Sequence, residues 1–415
     1  PNLLTQEELN NYREKLKQLT IEAIDYKVIN NSLENAEIKI NLLSEKQKVI
    51  NNEPNRNIFQ LSDQINTLLS DCVNLGTIPF SIIARHGFIA ENMLRSLISN
   101  KVISKERIFS FKSSIKTVST EMSREFHQVC SNDILKSTFL KKYGHLRPNS
   151  YDILSPTYRN RKNLFDGEPK ALNSHDKFSL TPGETLKITN LFDDNDINQF
   201  SPSDLFNYAE KAIIGREYAK FIFTRHLSII LELIAEWGET NNFSREEMSM
   251  LSIDDILSIL HSPLTEDVKT HYHKKVTTAK NEYDISLSFK LSYLIRSSRD
   301  IYVVPQQRNT PNFIGTQRVE KEIIFLTPYM ENIPDLQNKL ICIEGADPGY
   351  DWLFSRNISG LITKYGGANS HMAIRCAEYN LPAAIGCGEQ PFERIISAGK
   401  CLLDCQSKRL EPIVY

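Results

Sequence analysis

The hydrophobic period changes once along this chain, near residue 300, and that change limits what it can fold into. Before it, apolar residues recur at helical spacing. Leu16, Leu19, Ile24 and Ile29 do so in one segment, and Ile82, Ile83, Phe88, Ile89, Met93, Leu94 and Leu97 in another. After it come short β-branched runs: Ile301-Tyr302-Val303-Val304, Glu322-Ile323-Ile324-Phe325-Leu326, Leu340-Ile341-Cys342-Ile343 and Gly360-Leu361-Ile362-Thr363. A helical stretch, Ser370–Tyr379, and a further strand, Ala383-Ala384-Ile385-Gly386, follow. The expected protein is multidomain. A mostly α-helical region covers residues 1–300, a linker with the first strands covers 301–335, and a small β/α domain covers 336–415. A chain of 415 residues is long enough for each part to bury a core.

Within the helical region, residues 5–52 read as one or two long amphipathic helices. Further helices are expected over 58–75, 79–99, 104–130 and 134–143, the last stopping at Gly144. Residues 147–203 break the pattern, with Pro148, Pro156, Pro169, Pro182 and Pro202 among many Asn, Asp and Ser. Such long irregular stretches are usually functional or mobile. Helix resumes over 203–237, as one bent helix or two around Gly215. Short helices follow from Ser244 and over 253–260, then a long helix or pair over 267–299.

Net charge is −2, which argues against a dedicated binder of nucleic acid or of anionic membranes. No run of 18 apolar residues is present, so no membrane-spanning helix is expected. The first residues, Pro1-Asn2-Leu3-Leu4-Thr5, lack a signal-peptide pattern and an initiator Met, so the chain reads as a fragment of something longer. The seven cysteines are odd in number and form no CxxC, as expected of reduced thiols in a cytoplasmic protein.

The densest local signal is Thr363-Lys364-Tyr365-Gly366-Gly367-Ala368-Asn369-Ser370-His371-Met372-Ala373-Ile374-Arg375. A strand ends at Thr363, a Gly-Gly turn follows, and Ser370 is a fit N-cap that puts His371 on the first helical turn. Glycines let consecutive N–H groups converge on an anion, and a helix N-terminus adds free donors and partial positive charge. A histidine there is a neutral nucleophile near pH 7. Arg375, one turn on, offers a cation on the same face. The helix should stop at Asn380 ahead of Pro382, with Ile374 and Ala377 facing the sheet. Read from period alone, the segment is equally a surface histidine after a glycine turn.

The pattern Gly360-Leu361-Ile362-Thr363-x-x-Gly366-Gly367-x-x-Ser370-His371-x-Ala373-Ile374, continuing through Glu378, Leu381-Pro382-Ala383 and Gly386, resembles the phosphohistidine signature of the phosphoenolpyruvate-utilising enzymes. The lead-in Asp347-Pro348-Gly349-Tyr350-Asp351-Trp352-Leu353-Phe354 is similar as well. The resemblance implies that His371 carries a phosphoryl group taken from ATP, with Thr363, Gly366, Gly367, Ser370 and Arg375 around the phosphate. It also implies an ATP-grasp domain, holding ATP and Mg2+, that is not visible in this chain. The order of helical domain then histidine domain resembles the rifampicin phosphotransferase group. The wording Lys364-Tyr365-Gly366-Gly367-Ala368-Asn369-Ser370-His371, with Ala346-Asp347-Pro348-Gly349, resembles the capsule-pathway members, one of which phosphorylates the amide nitrogen of L-glutamine. Cys376-Ala377 and Asn380 depart from the family, which often has Ala-Arg and Gly there.

A second motif, Tyr143-Gly144-His145-Leu146-Arg147-Pro148-Asn149-Ser150-Tyr151-Asp152, resembles a Tyr-Gly-His segment of the rifampicin phosphotransferase group. It suggests a small-molecule acceptor site: Arg147 clamping a carboxylate or phosphate, Asp152 pairing an amine, His145 handling protons. The alternative is a helix C-cap followed by a structural turn. Arg216, Lys220 and Thr224 form a stripe on one helix, and with Arg225 they are further candidates for the acceptor, unless they pair with neighbouring helices. His86 reads as a satisfied core histidine, and His271 and His273 have no assigned role or metal. Two other readings stay open: an enzyme acting on pyruvate, disfavoured by the missing barrel, and a non-enzymatic phosphohistidine carrier.

Overall fold

A computed structural model describes residues 4–24, 32–50, 56–167, 178–197, 199–289, 291, 295–302, 310–368 and 370–413. Ile29, Pro169, Val303, Val304 and Asn369, named above, lie outside them, as do residues 290 and 292–294 of the expected last long helix. A mostly helical N-terminal region precedes a small C-terminal domain built on one sheet.

The helices are α1 (Gln6–Ile24), α2 (Ser32–Lys48), α3 (Ile58–Asp71), α4 (Ile78–Ser99), α5 (Lys105–Ser114), α6 (Val118–Cys130), α7 (Lys136–Tyr143), α8 (Pro182–Asp193), α9 (Pro202–Thr240), α10 (Arg245–Met248), α11 (Ile253–Leu257), α12 (Val268–Ser286) and α13 (Arg299–Tyr302). Several boundaries differ from expectation for local reasons. A widened π turn, Cys72–Thr77, joins α3 to α4 without a break and carries the chain into Pro79, which has no N–H to donate. The expected helix over 104–130 is two, because Thr117 and Thr120 cap each other and restart it as α6. The irregular 147–203 stretch contains α8, opened by a reciprocal cap between Thr181 and Glu184 with Pro182 in its first turn. No division occurs at Gly215: α9 runs through it, and Glu37 and Ile83 pack where a side chain would stand. Ile301 and Tyr302 are helical, not strand. One helical run, Ile58–Ser99, is long and apolar enough to cross a membrane by length and composition, where none was expected. Its second half carries Arg85, Glu91 and Arg95 and buries Ile83, His86, Ala90, Leu94 and Leu97.

The chain divides into two compact units, and the division is not a cut at residue 300. One unit comprises Pro1–Asn52, Ser70–Glu121 and Asn173–His226. Its core gathers Ile40, Leu43, Ile83, Leu94, Phe111, Phe206 and Tyr208. His86 is buried there, with Nδ1 3.0 Å from the Tyr208 hydroxyl and Nε2 2.8 Å from the Ser32 hydroxyl, a satisfied core histidine.

The other unit comprises Glu53–Leu69, Met122–Leu172 and Leu227–Tyr415. It holds a seven-stranded sheet of β1 (Asn312–Ile314), β2 (Arg318–Leu326), β3 (Leu340–Gly345), β4 (Gly360–Tyr365), β5 (Ala383–Ile385), β6 (Lys400–Asp404) and β7 (Arg409–Pro412), in the order β1-β5-β4-β3-β2-β6-β7. The central strands β2, β3, β4 and β5 are parallel; β1, β6 and β7 join antiparallel. Residues 340–343 and 360–363 are buried on both faces, as parallel central strands require. Leu340, Cys342, Ile362, Phe392 and Leu403 form one core with helix α15 (Glu389–Ala398). A 3-10 segment, Pro348–Ser355, and helix α14 (His371–Glu378) pack together. The seven cysteines are all free thiols.

Candidate functional site: a histidine at a helix start

Helix α14 begins where the sequence places it. Ser370 is its N-cap in extended conformation, and its hydroxyl accepts from the Ala373 N–H at 3.3 Å. The helix ends in a reciprocal turn: Asn380 is left-handed at φ 47°, Leu381 N–H donates to Cys376 O at 2.8 Å, and Asn380 N–H donates to Ala377 O at 3.1 Å. The buried face is Met372, Ala373, Arg375 and Cys376; Ile374 and Ala377, expected to face the sheet, are exposed. The expected face was off by one position: Ala373 and Cys376, not Ile374 and Ala377, face inward.

The turn from β4 into α14 is clasped by Thr363. Its hydroxyl donates to Tyr365 O at 2.9 Å and accepts the Gly386 N–H at 2.9 Å, and its carbonyl accepts the Gly386 and Cys387 N–H groups. Thr363 is wholly buried, so it builds the turn instead of facing a phosphate. Gly366, at φ 137°, could carry no side chain: a Cβ would lie 2.8 Å from that of Ala346. Gly366 and Gly367 are exposed, and Ser370 N–H closes the turn onto Gly367 O at 3.0 Å.

The imidazole has a partner that the sequence reading did not single out. His371 Nε2 lies 2.6 Å from Asp351 Oδ1, the carboxylate being only 5% exposed and the ring 14%. Asp351 sits on the Pro348–Ser355 segment, whose start is held by Asp347 accepting the Gly349 N–H at 2.7 Å. Arg375 was expected beside the phosphate. Instead its guanidinium is buried against α14's far end, donating to Glu378 at 2.8 Å, the Tyr379 hydroxyl at 3.1 Å and Ser123 Oγ at 3.3 Å. Burial lowers its pKa, but the Tyr379, Glu378 and Asp351 charges more than offset this and keep it firmly cationic.

Residues 336–408 match the family described as PEP-utilising enzyme, mobile domain. That segment is a PEP-utilising mobile domain. Such domains belong to phosphohistidine-carrying phosphotransferases. No curated protein matches the chain.

The motif after α7 lines a cleft, and the residues that follow it bond to the mobile domain and the segment before it. Arg147, expected to clamp an acceptor, is 2% exposed, and both of its terminal nitrogens are engaged. It donates to Ser228 Oγ at 2.9 Å, Glu232 at 2.8 Å and the carbonyls of Asp152 and Ser155. Glu232 also accepts from Arg245. Beyond it, the Tyr158 hydroxyl donates to Gly349 O at 2.8 Å, and Arg161 donates to Pro328 O at 2.5 Å and Met330 O at 2.6 Å. Arg356 of the mobile domain returns the pattern, donating to Asn163 O at 3.1 Å and Leu164 O at 2.5 Å. A Cβ on Gly349 would fall 2.1 Å from Arg147 O.

Asp152 does line a cleft of about 610 Å³, with Asn149, Ser150, Tyr151, Asp347 and an apolar floor that includes Leu231, Ile234 and Met248. Its carboxylate accepts from the Tyr329 hydroxyl at 3.0 Å and the Leu154 N–H at 2.9 Å. His145 is half-buried just after α7. Arg216 and Arg225 belong to the other unit, each beside an aromatic ring, Phe88 and Phe221 respectively, with centroids 5.6 Å away. Lys220 is half-buried there, and Thr224 is buried with its hydroxyl donating to Lys220 O. The acceptor candidates are therefore not gathered in one unit. No spacing rule links Asp351 to His371; the only sequence sign was its place in the lead-in that resembles the family.

Proposed function

We propose that this chain is part of an ATP-dependent phosphotransferase in which His371 takes the β-phosphoryl group of ATP and passes it to a small-molecule acceptor, leaving AMP and phosphate. The observation that carries this reading is the placing of His371: at the start of a capped helix, after a glycine turn, with Asp351 on Nε2, inside a PEP-utilising mobile domain. The helix start offers N–H donors and partial positive charge to the phosphoryl group, and exposed Gly366 and Gly367 let it approach the backbone. ATP and its Mg2+ are ascribed to an ATP-grasp domain. Among the described residues, no three His, Cys, Asp or Glu side chains gather as a metal ligand set.

The proposed acceptor is the amide nitrogen of L-glutamine. It rests on the likeness to the capsule-pathway members, together with the acidic cleft at Asp152, which suits an amine. Arg147 is occupied and is not its carboxylate partner. His145, in the same unit as that cleft, stands as a further acceptor contact to be tested by substitution.

Full-length enzyme given ATP labelled in the β-phosphoryl position should hold acid-labile phosphate at His371, and phosphorus NMR with glutamine should show a nitrogen-bound phosphoryl product. Label retained in a His371→Ala or His371→Asn variant refutes the carrier role. An unlabelled His371 in the parent enzyme does the same.

A further inference from the structure

The Asp351 carboxylate invites a chemical assignment beyond holding a ring in place, one that rests on the phosphohistidine reading of His371. Nε2 is the imidazole nitrogen further from the α14 backbone and the one that meets Asp351, and on that reading it is the nitrogen that carries the phosphoryl group. Asp351 Oδ1 is 2.6 Å from it, buried, and fixed by a 3-10 segment that is itself capped by Asp347. A carboxylate so close to a dianionic phosphoryl group repels it, which disfavours storage and favours onward transfer. What the carboxylate supplies in return is a proton acceptor. An amide, amine, hydroxyl or water that takes a phosphoryl group must lose a proton, and the imidazole nitrogen cannot accept it while bonded to phosphorus.

We infer that Asp351 is the general base of the transfer step. The acceptor's lone pair forms the new bond to phosphorus, and its N–H or O–H proton passes to a carboxylate oxygen of Asp351. The P–N bond breaks with its electron pair returning to Nε2. The protonated carboxyl then donates to Nε2 across the same contact seen in the resting chain. Only acceptors that carry a proton need the base, and this makes Asp351 selective between acceptors in a way a positioning residue is not.

The test uses the chain loaded at His371 with phosphoramidate, a chemical phosphoryl donor, so that no nucleotide domain is needed. Loss of the phosphoryl group is followed to three acceptors: water and glutamine, which must shed a proton, and N-methylimidazole, which has none to shed. Asp351→Asn should load and should serve N-methylimidazole within about threefold of the parent, while transfer to water and to glutamine falls about 100-fold, the usual scale of general-base catalysis. A second variant, Asp351→Ala, should regain transfer to water when formate is added. Equal slowing toward all three acceptors would make Asp351 a positioning residue and overturn the assignment, and so would unchanged rates. Failure of both variants to load overturns it too, since the carboxylate would then be needed to seat the ring. If the parent chain itself does not hold phosphate at His371, the proposed function falls instead.

Discussion

Glu184 shows how one side chain couples a helix start to pH. It caps α8 through Thr181 and accepts two bonds from Arg107, at 2.8 and 2.9 Å. The Arg107 bonds come first among the causes that hold its carboxyl down to about 2, well below the ordinary 4.5. A carboxylate depressed in the folded state contributes stability above its unfolded value, and that stability is lost as pH falls from 4.5 toward 2. Glu184→Gln should cost roughly 1–2 kcal/mol near neutral pH, allowing for screening at half-exposed Arg107, and should flatten the acid limb of the stability curve in urea melts. A steep limb retained over that window would show that the pair is not the source. Caps of this kind are legible one residue at a time: Ser104, Ser244 and Ser370 were read correctly as helix starts, and Gly144 and Asn380 as helix ends. The partners of charged groups were not. Arg147 and Arg375 are the same residue types as an anion clamp, and only their neighbours Glu232 and Glu378 show that they are already bound.

Helix α14 is eight residues long, too short to hold itself together without its ends and its packing. Ser370 supplies the N-terminal bond and Asn380 the C-terminal reversal, while Met372, Ala373 and Cys376 bury its inner face. Ser370→Ala should lower stability by about 1 kcal/mol, the usual cost of a lost cap. Because the same residue fixes where His371 leaves the turn, phosphorylation of His371 should fall more than the melting temperature alone suggests. A variant that melts lower yet labels at the parent rate would separate cap from carrier. The strand pattern was readable where burial on both faces makes a continuous apolar run, as in β3 and β4. It failed at β1, β6 and β7, whose few residues carry no such run, and at Ile301 and Tyr302, which are apolar, exposed and helical.

At the scale of the molecule, the loop after α7 and the mobile domain share a seam of side-chain-to-carbonyl bonds. Tyr158 donates from one side and Arg356 from the other, while Arg161 donates to the Pro328 and Met330 carbonyls just ahead of the domain. These bonds pair buried guanidinium and phenol donors with carbonyl oxygens, not with carboxylates. Gly349 is its tightest point, since Arg147 O lies where a Cβ would stand. Gly349→Ala should loosen the seam. Hydrogen exchange at residues 328–333 and 349–356 should quicken while the sheet core at Ile341 and Ile362 stays protected. Unchanged exchange at both places would show that the loop does not hold the domain.

The order of chemistry along the chain alone determined several helix caps, the apolar runs of β3 and β4 and the glycine turn before His371, because each depends on residues within a few positions of one another. The carboxylate facing that histidine, twenty positions upstream, and the capture of Arg147 and Arg375 by other partners were decided only by the folded chain. Electrostatic pairing acts through space over a few ångströms, and distances of that kind between remote segments exist only once the sheet and its flanking helices have closed around them.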